Sequence, residues 1–200
     1  MDFFQQLCQE RILPIIRAAN EEEGLALGQR VQAAGWGLVE VSWTMPGAAS
    51  IVRQLARTRD GVGGGTIVSA AMAEAAITAG CQYLVAPNFS REVWQVAKNR
   101  QIPYLPGVMT PSEVGAALNA GLTYLKLFPA SVGGVTHLKA LGTVFPQAKF
   151  VPTGGIVFND LVRWLNAGAV AVGIGSGIVR IADRESRNML PGLDRLQGDE

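Results

Sequence analysis

One lysine in this 200-residue chain lies where a charged side chain is unexpected. Lys126 stands inside Tyr124–Ala130 (YLKLFPA), a short and mostly apolar segment that predicts a buried strand. Burial lowers the pKa of a lysine, and a neutral lysine amine is a nucleophile that forms a Schiff base with a carbonyl group. From spacing alone, a lysine that reaches solvent from the strand end or pairs with an acid fits equally well.

A carboxylate occupies a similar position earlier in the chain. Glu40 lies within Gly37–Trp43 (GLVEVSW), whose other residues again predict a buried strand. Burial raises the pKa of an unpaired glutamate, which suits a general acid or base. A structural ion pair with Arg17 or Lys126 is the alternative, and both interpretations can hold together.

Glycine-rich segments follow the last two predicted strands, at Pro152–Ile156 (PTGGI) and Gly173–Gly177 (GIGSG). Glycines let backbone N–H groups approach phosphate oxygens, so the pair predicts a phosphate site, with short-turn glycines as the alternative. A third cluster, Gly63–Thr66 (GGGT), lacks the lysine of a nucleotide-binding P-loop, which argues against a nucleoside triphosphate site. We expect this third cluster to let the backbone lie close to a substrate, with Thr66 offering a hydroxyl.

The elements that must position these residues recur about every 20–25 residues, as a short apolar run followed by an amphipathic segment. The eight runs are Ile12–Ala18, Gly37–Trp43, Gly61–Ile67, Tyr83–Asn88, Tyr104–Met109, Tyr124–Ala130, Phe150–Gly155 and Val170–Ser176. They predict an α/β fold, a single (β/α)8 TIM barrel over residues 1–200 with its core at about 12–180. An extra helix, Asp2–Arg11, is expected before the first strand. An open doubly wound sheet is the competing fold, but no G-x-G-x-x-G turn follows the first strand.

The carboxyl ends of the strands carry the active site in such barrels. The residues at these ends form a convergent polar set on an apolar wall. They are Arg17, Glu40, Thr44, Thr66, Pro87, Lys126, Phe128, Thr153 and Ser176.

Composition limits the other classes of function. Hydrophobic residues make up 48% of the chain, charged residues 16%, and the net charge is +1, which argues against nucleic acid or a membrane surface as partner. No apolar run is long enough to span a bilayer, and we expect no signal peptide. Cys8 and Cys81 predict free thiols in the cytoplasm. The single histidine, His137, is expected at the surface, and one histidine with two scattered cysteines argues against a zinc site, so we expect no cofactor.

Several segments together resemble a known family. They are Val39–Val41 (VEV), Gly64–Thr66 (GGT), Ile102–Pro111 (IPYLPGVMTP), Leu125–Ala130 (LKLFPA) and Val151–Ile156 (VPTGGI). In this order they are similar to the 2-keto-3-deoxy-6-phosphogluconate (KDPG)/4-hydroxy-2-oxoglutarate aldolases, which are class I lyases. The resemblance extends over about residues 12–180.

The resemblance implies a homotrimer of barrels that needs no metal and acts in the Entner–Doudoroff route of carbohydrate metabolism. It implies cleavage of KDPG to pyruvate and D-glyceraldehyde 3-phosphate, with 4-hydroxy-2-oxoglutarate as a further substrate. Lys126 would be the Schiff-base lysine and Glu40 the residue that moves protons. Thr66 and Pro87 would line the pocket and Phe128 would pack beside the imine. The substrate phosphate would be held by Gly154, Gly155, Gly175 and Ser176.

The chain departs from the family pattern at two places. Many members carry an arginine shortly after the glutamate, where this chain has Ser42–Pro46 (SWTMP). Some members instead have the arginine found here as Arg17, so we expect Arg17 to bind the substrate carboxylate or phosphate. Pro191 and Gly192 also interrupt the usual closing helix.

The nearest alternative is the aldolase for 2-keto-3-deoxy-6-phosphogalactonate, which differs at C4. Ala86–Asn88, Arg91–Val93 and Arg17 resemble that branch. More remote alternatives are a phosphosugar isomerase or epimerase and a non-catalytic phosphate-binding barrel. The metal-dependent epimerases need a His/Asp cluster that one histidine cannot supply, and a non-catalytic barrel has no use for a buried lysine opposite a glutamate.

Overall fold

Helices and short parallel strands alternate along the chain in a computed structural model that describes residues 2–178 and residue 182. The strands are β1 (Ile12–Ile16), β2 (Val39–Ser42), β3 (Val62–Gly65), β4 (Leu84–Val85), β5 (Tyr104–Leu105), β6 (Gly107–Val108), β7 (Tyr124–Leu127), β8 (Lys149–Pro152) and β9 (Val172–Ile174). The helices are α1 (Phe3–Glu10), α2 (Glu21–Ala33), α3 (Ala48–Ala56), α4 (Ala70–Ala79), α5 (Arg91–Asn99), α6 (Pro111–Asn119), α7 (Ala130–Val144) and α8 (Leu161–Leu165). A 3-10 turn, Phe158–Asp160, precedes α8.

The strands form a curled parallel sheet. Six of them pair in the order β5-β4-β3-β2-β1-β9, and β6, β7 and β8 form a second ladder. Each predicted strand segment overlaps an observed strand, although β8 begins one residue before its segment, and the fifth segment is divided at Pro106. Because proline has no N–H group, the ladder hydrogen bonds cannot continue unbroken through this position. The predicted α/β class with parallel strands is therefore confirmed.

Apolar side chains pack in two layers, one on each face of the sheet. Residues such as Val39, Val41, Leu125 and Leu127 face outward and are buried under the helices. The other set lies inside the curl, and its members are Phe3, Leu7, Leu13, Leu38, Tyr83, Val85, Leu105, Val151 and Ala171. This arrangement follows from the alternation of side chains along a strand whose two faces are both covered.

The first helix covers the amino-terminal ends of the strands. In α1, Phe3 stacks on Tyr83 with ring centroids 4.1 Å apart, and Phe4 stacks on Tyr124 at 4.2 Å. The predicted N-terminal helix is thus confirmed, with ends one residue inside those expected. The interior of the sheet is accordingly filled at this end.

Local signals in the sequence determine where several helices begin. The Asn20 side chain accepts a hydrogen bond from the backbone N–H of Glu23 at 2.9 Å and caps α2. Pro111 opens α6, where Thr110 and Glu113 form a reciprocal capping box. These caps fix the direction in which each helix leaves the carboxyl end of the preceding strand.

Some expectations lie outside the described residues. They concern the end of the core near Arg180 and the interruption at Pro191 and Gly192. Within residues 2–178 and residue 182, no helix combines the length and apolar character that crossing a membrane requires.

A glycine in β3 makes room for the largest aromatic contact inside the sheet. Gly63 lies beside the fully buried ring of Tyr83, and a Cβ atom at residue 63 would overlap atoms of that ring. Interiors are close-packed, so the ring has no free space into which it could withdraw. Gly63 is therefore required by packing.

We predict that Gly63→Ala lowers the free energy of unfolding by about 1–3 kcal/mol, because the added methyl overpacks the interior. Gly115→Ala is the matched control, since a Cβ there meets nothing within 4 Å on helix α6. It should raise stability by about 0.5–1 kcal/mol through helix propensity. Urea unfolding of both variants measures the difference, and equal values for the two would contradict this role of Gly63.

Candidate active site

A cavity of about 240 Å³ opens at the carboxyl ends of the strands. Its lining includes most of the residues predicted from the strand ends and glycine segments, namely Arg17, Glu40, Thr66, Pro87, Lys126, Phe128, Thr153, Gly154, Gly155, Gly175 and Ser176. Three lining residues were not predicted, namely Ile15, Ile156 and Gly173. Thr44, which was predicted, is exposed and does not line this cavity.

Lys126 projects into the cavity from the middle of β7. Its neighbours Leu125 and Leu127 face the outer apolar layer, so strand alternation turns Lys126 inward. The residue is only 5% exposed. Its Nζ lies 3.9 Å from Glu40 Oε1 and 5.3 Å from the centroid of the Phe128 ring. The amine is thus held beside one carboxylate and one aromatic face at the wall of the cavity.

Glu40 occupies the equivalent inward position on β2 and is 1% exposed. Burial raises the pKa of its carboxyl group, and the charges of Lys126 and Arg17 offset part of that shift. Its Oε2 atom has no hydrogen-bond partner among the described residues. Glu40 thus has a cationic neighbour, and its Oε2 meets no hydrogen-bond donor among the described residues.

The separation between the two groups matters for their chemistry. A distance of 3.9 Å is longer than a hydrogen bond between an ammonium and a carboxylate, so neither side chain is tied to the other. Electrostatic attraction nevertheless acts strongly across a buried gap of this size. The amine and the carboxyl group can both reach a small molecule that enters the cavity beside them.

Gly65, at the end of β3, gives the Glu40 carboxyl group its space. A Cβ atom at residue 65 would overlap the Glu40 carboxyl oxygen and carbon. The next residue, Thr66, has a φ of 60°, which is rare for a β-branched side chain. This conformation places Thr66 in the cavity lining directly after the glycine run, as expected for a backbone that lies close to a substrate.

The opposite side of the cavity is formed by backbone. Gly154 and Gly155 have φ values of 95° and 74°, and their amides donate no backbone hydrogen bond within the described residues. The Gly154 carbonyl accepts from the Ser131 N–H at 3.1 Å, which fixes this loop to the start of α7. Gly175 and Ser176 follow β9, which is bridged to the end of β8 through Thr153 and Gly173, and they also line the cavity. Free amides on positive-φ glycines suit an anion such as phosphate.

Other residues considered from the sequence lie elsewhere. His137 is half-buried, with Nε2 2.6 Å from the carbonyl oxygen of Met109, and it does not line the cavity. Cys8 and Cys81 are free cysteines. Among the described residues, no three His, Cys, Asp or Glu side chains come together as potential metal ligands.

Sequence comparison places the chain beside known aldolases. Residues 4–190 match the family model described as KDPG and KHG aldolase. The 2-dehydro-3-deoxy-phosphogluconate aldolase of Pseudomonas aeruginosa is 35% identical over 80% of this chain and 74% of the relative. The 2-dehydro-3-deoxy-6-phosphogalactonate aldolase of Escherichia coli is 31% identical over 88% of each chain.

Solved structures of aldolases are also similar to this chain. The 2-keto-3-deoxy-6-phosphogluconate aldolase of Zymomonas mobilis with 3-phosphoglycerate superposes with a TM-score of 0.83 at 27% identity, over 93% of this chain and 95% of that one. The KDPG aldolase of Legionella pneumophila, with pyruvate captured as a covalent carbinolamine intermediate, has a TM-score of 0.79 at 29% identity, over 96% and 94%.

We predict that Glu40→Gln gains stability relative to the unaltered protein as the pH rises above 4.5, the ordinary pKa of the group. Since the pKa of Glu40 is higher in the folded than in the unfolded state, the folded protein binds the additional proton above pH 4.5. Its stability therefore falls as the pH rises through that window, whereas glutamine does not titrate.

Urea unfolding of both proteins at intervals from about pH 4 to 7 measures the difference. The advantage of the glutamine variant should grow with pH. A difference that shrinks with pH would mean that attraction to Lys126 and Arg17 outweighs the burial of Glu40.

Proposed function

Because the chain belongs to the KDPG and KHG aldolase family, we propose that it is a class I aldolase that cleaves KDPG to pyruvate and D-glyceraldehyde 3-phosphate. The observation that carries this proposal is the buried pair of Lys126 and Glu40, 3.9 Å apart in one cavity. One group is a nucleophile for a ketone and the other an acid or base for the bonds next to it. The same arrangement suits 4-hydroxy-2-oxoglutarate.

The reaction begins with the amine of Lys126. Its nitrogen attacks the C2 ketone carbon of the substrate, and the ketone oxygen leaves as water after two proton transfers, which gives an iminium ion. Glu40 is the neighbouring group that exchanges these protons, directly or through a water. The positive iminium nitrogen then accepts electrons from the C3–C4 bond.

Bond cleavage uses the same two residues. Glu40 takes the proton of the C4 hydroxyl, the C3–C4 electron pair moves toward the iminium nitrogen, and D-glyceraldehyde 3-phosphate leaves. The remaining enamine takes a proton at C3, and water hydrolyses the imine to release pyruvate and the free amine of Lys126. Phe128 packs beside the imine, since its ring centroid lies 5.3 Å from the lysine nitrogen.

The two ends of the substrate meet different surfaces. We assign the phosphate to the backbone of Gly154 and Gly155 and to Gly175 and Ser176 in the neighbouring loop, in keeping with the phosphorylated ligand of the Zymomonas mobilis aldolase. Thr66, Pro87 and Thr153 then contact the middle of the substrate and its keto-acid end. Arg17, at the rim, supplies a cation for the carboxylate or the phosphate.

The architecture that we propose is a closed (β/α)8 barrel formed by one domain over residues 1–200. Two features support closure: β5 and β6 flank Pro106 as halves of one strand, and Thr153 forms a parallel bridge with Gly173 between the ends of β8 and β9. We further propose a homotrimer, from the family resemblance, and a cytoplasmic location, in keeping with two free thiols.

A second candidate substrate is the C4 epimer, 2-keto-3-deoxy-6-phosphogalactonate. The Escherichia coli aldolase named for that substrate is 31% identical over 88% of each chain, and Arg17 fits that branch. The chemistry at Lys126 is identical for both epimers. The distinction depends on where the C4 hydroxyl lies relative to Glu40 once the imine and the phosphate are both held.

We predict that pyruvate and borohydride together leave a stable covalent adduct on Lys126, because reduction converts the imine to a secondary amine. Peptide mass spectrometry identifies the modified lysine. Lys126→Ala should form no adduct and lose nearly all cleavage activity. Lys139→Ala, which alters an exposed lysine on α7, is the matched control and should retain both. A folded, unaltered protein that forms no adduct would refute the class I mechanism.

We also predict that the gluconate epimer is cleaved with a kcat/KM at least about tenfold above that of the galactonate epimer, because inversion at C4 moves the hydroxyl away from Glu40. Pyruvate release from each pure epimer measures the ratio, with Lys126→Ala as the blank. A ratio in the opposite direction would assign the protein to the galactonate branch while leaving the Schiff-base chemistry intact.

A further inference from the structure

A hydroxyl that does not line the cavity connects two of the loops around it. Ser42 is the last residue of β2, two residues beyond Glu40, so both side chains project from the same face of the strand. Its exposure is 0%, although the adjacent turn reaches solvent. We propose that Ser42 is a positioning residue that holds Thr66 for the substrate. This proposal rests on the aldolase function proposed above.

The contacts of Ser42 form a row of three hydroxyl groups. Its Oγ lies 3.1 Å from Thr44 Oγ1 and 3.2 Å from Thr66 Oγ1, and both distances allow hydrogen bonds. In the ladder, Ser42 pairs with Gly65, the residue before Thr66. The row therefore begins at the exposed Thr44, passes through the buried Ser42 and ends at Thr66 in the cavity wall.

Thr66 needs support from its surroundings. Its φ of 60° is unfavourable for a β-branched residue, and such conformations persist only where neighbouring contacts impose them. On its two sides, the Trp43 N–H donates to the Gly65 carbonyl at 2.8 Å and the Ile67 N–H donates to the Val85 carbonyl at 3.1 Å. These bonds fix the backbone, whereas the hydroxyl of Ser42 fixes the side chain.

The function that we infer for this row of hydroxyl groups depends on which of them donates each hydrogen bond. Each hydroxyl has one proton to donate and lone pairs that accept. Either hydroxyl can donate in both contacts. In the arrangement that we infer, Ser42 accepts from Thr44 and donates to Thr66, which leaves the Thr66 proton free to donate into the cavity. There it meets the carboxylate of the keto acid, at the end of the substrate next to Lys126. Successive hydrogen bonds polarise one another, so the row strengthens this last donor.

The test compares pyruvate binding in Ser42→Ala and in the unaltered protein, through the concentration that half-saturates the borohydride-trapped adduct on Lys126. We expect a rise of about two- to tenfold, the usual effect of one lost hydrogen bond. For KDPG, KM should rise more than kcat falls. Ser50→Ala is the matched control, because its Oγ only faces Gln54 at 3.4 Å on α3, and it should change neither value.

A double-mutant cycle separates positioning from a general loss of structure. Thr66→Val keeps the shape of the side chain and removes its hydroxyl, so adding Ser42→Ala to it should produce no further rise. Equal rises in both backgrounds, or no rise in Ser42→Ala alone, would overturn the positioning role. If the unaltered protein forms no adduct at all, the proposed function itself fails, and that outcome is distinct from either of these.

Discussion

The burial of a lysine together with a glutamate is the constraint on which the rest of the structure depends. Lys126 and Glu40 have side chains that are 7% and 2% exposed. Removing two charges from water costs several kcal/mol per ion, and their attraction recovers only part of this cost. At 3.9 Å the pair is close enough to be tolerated and too far apart for a direct hydrogen bond. The pKa of Glu40 therefore stays raised, and the carboxyl group remains available for proton transfer.

The fold meets this constraint by giving each strand two different faces. On β7 the outward residues Leu125 and Leu127 are anchored under the helices, and this burial holds Lys126 facing inward against the cost of its desolvation. At the amino-terminal end, Tyr83 and helix α1 close the interior. Inward-facing strand residues then supply reactive side chains at the carboxyl ends, where loop glycines supply backbone amides.

Most of the fold and the site could be predicted because their signals are local. An apolar run interrupted by one charge marks both Lys126 and Glu40, and the end of each run marks the cavity wall.

Thr44 is outside the wall because β2 ends at Ser42 and the chain turns there, with the Met45 N–H donating to the Ser42 carbonyl. Strand alternation therefore no longer applies at Thr44. The place of Ile15 in the cavity wall could have been predicted from the alternation of side chains along a strand, since Ile15 lies two residues before Arg17. The contact of Ser42 with Thr66 could not have been predicted in this way, because it joins side chains that lie 24 positions apart in the sequence.

The two kinds of surface around the cavity explain how one carbon of a flexible substrate can be held in place. In the proposed reaction, an imine on Lys126 ties C2 to a rigid strand, and the glycine loops after β8 and β9, which line the same cavity, would hold the phosphate. With both ends held, the chain between them cannot slide to bring an inverted hydroxyl at C4 to the same atom of Glu40. Selectivity at C4 then follows from the two anchors of the substrate, the imine and the phosphate, and from the position of the Glu40 carboxyl group. Neither anchor needs to contact C4 itself.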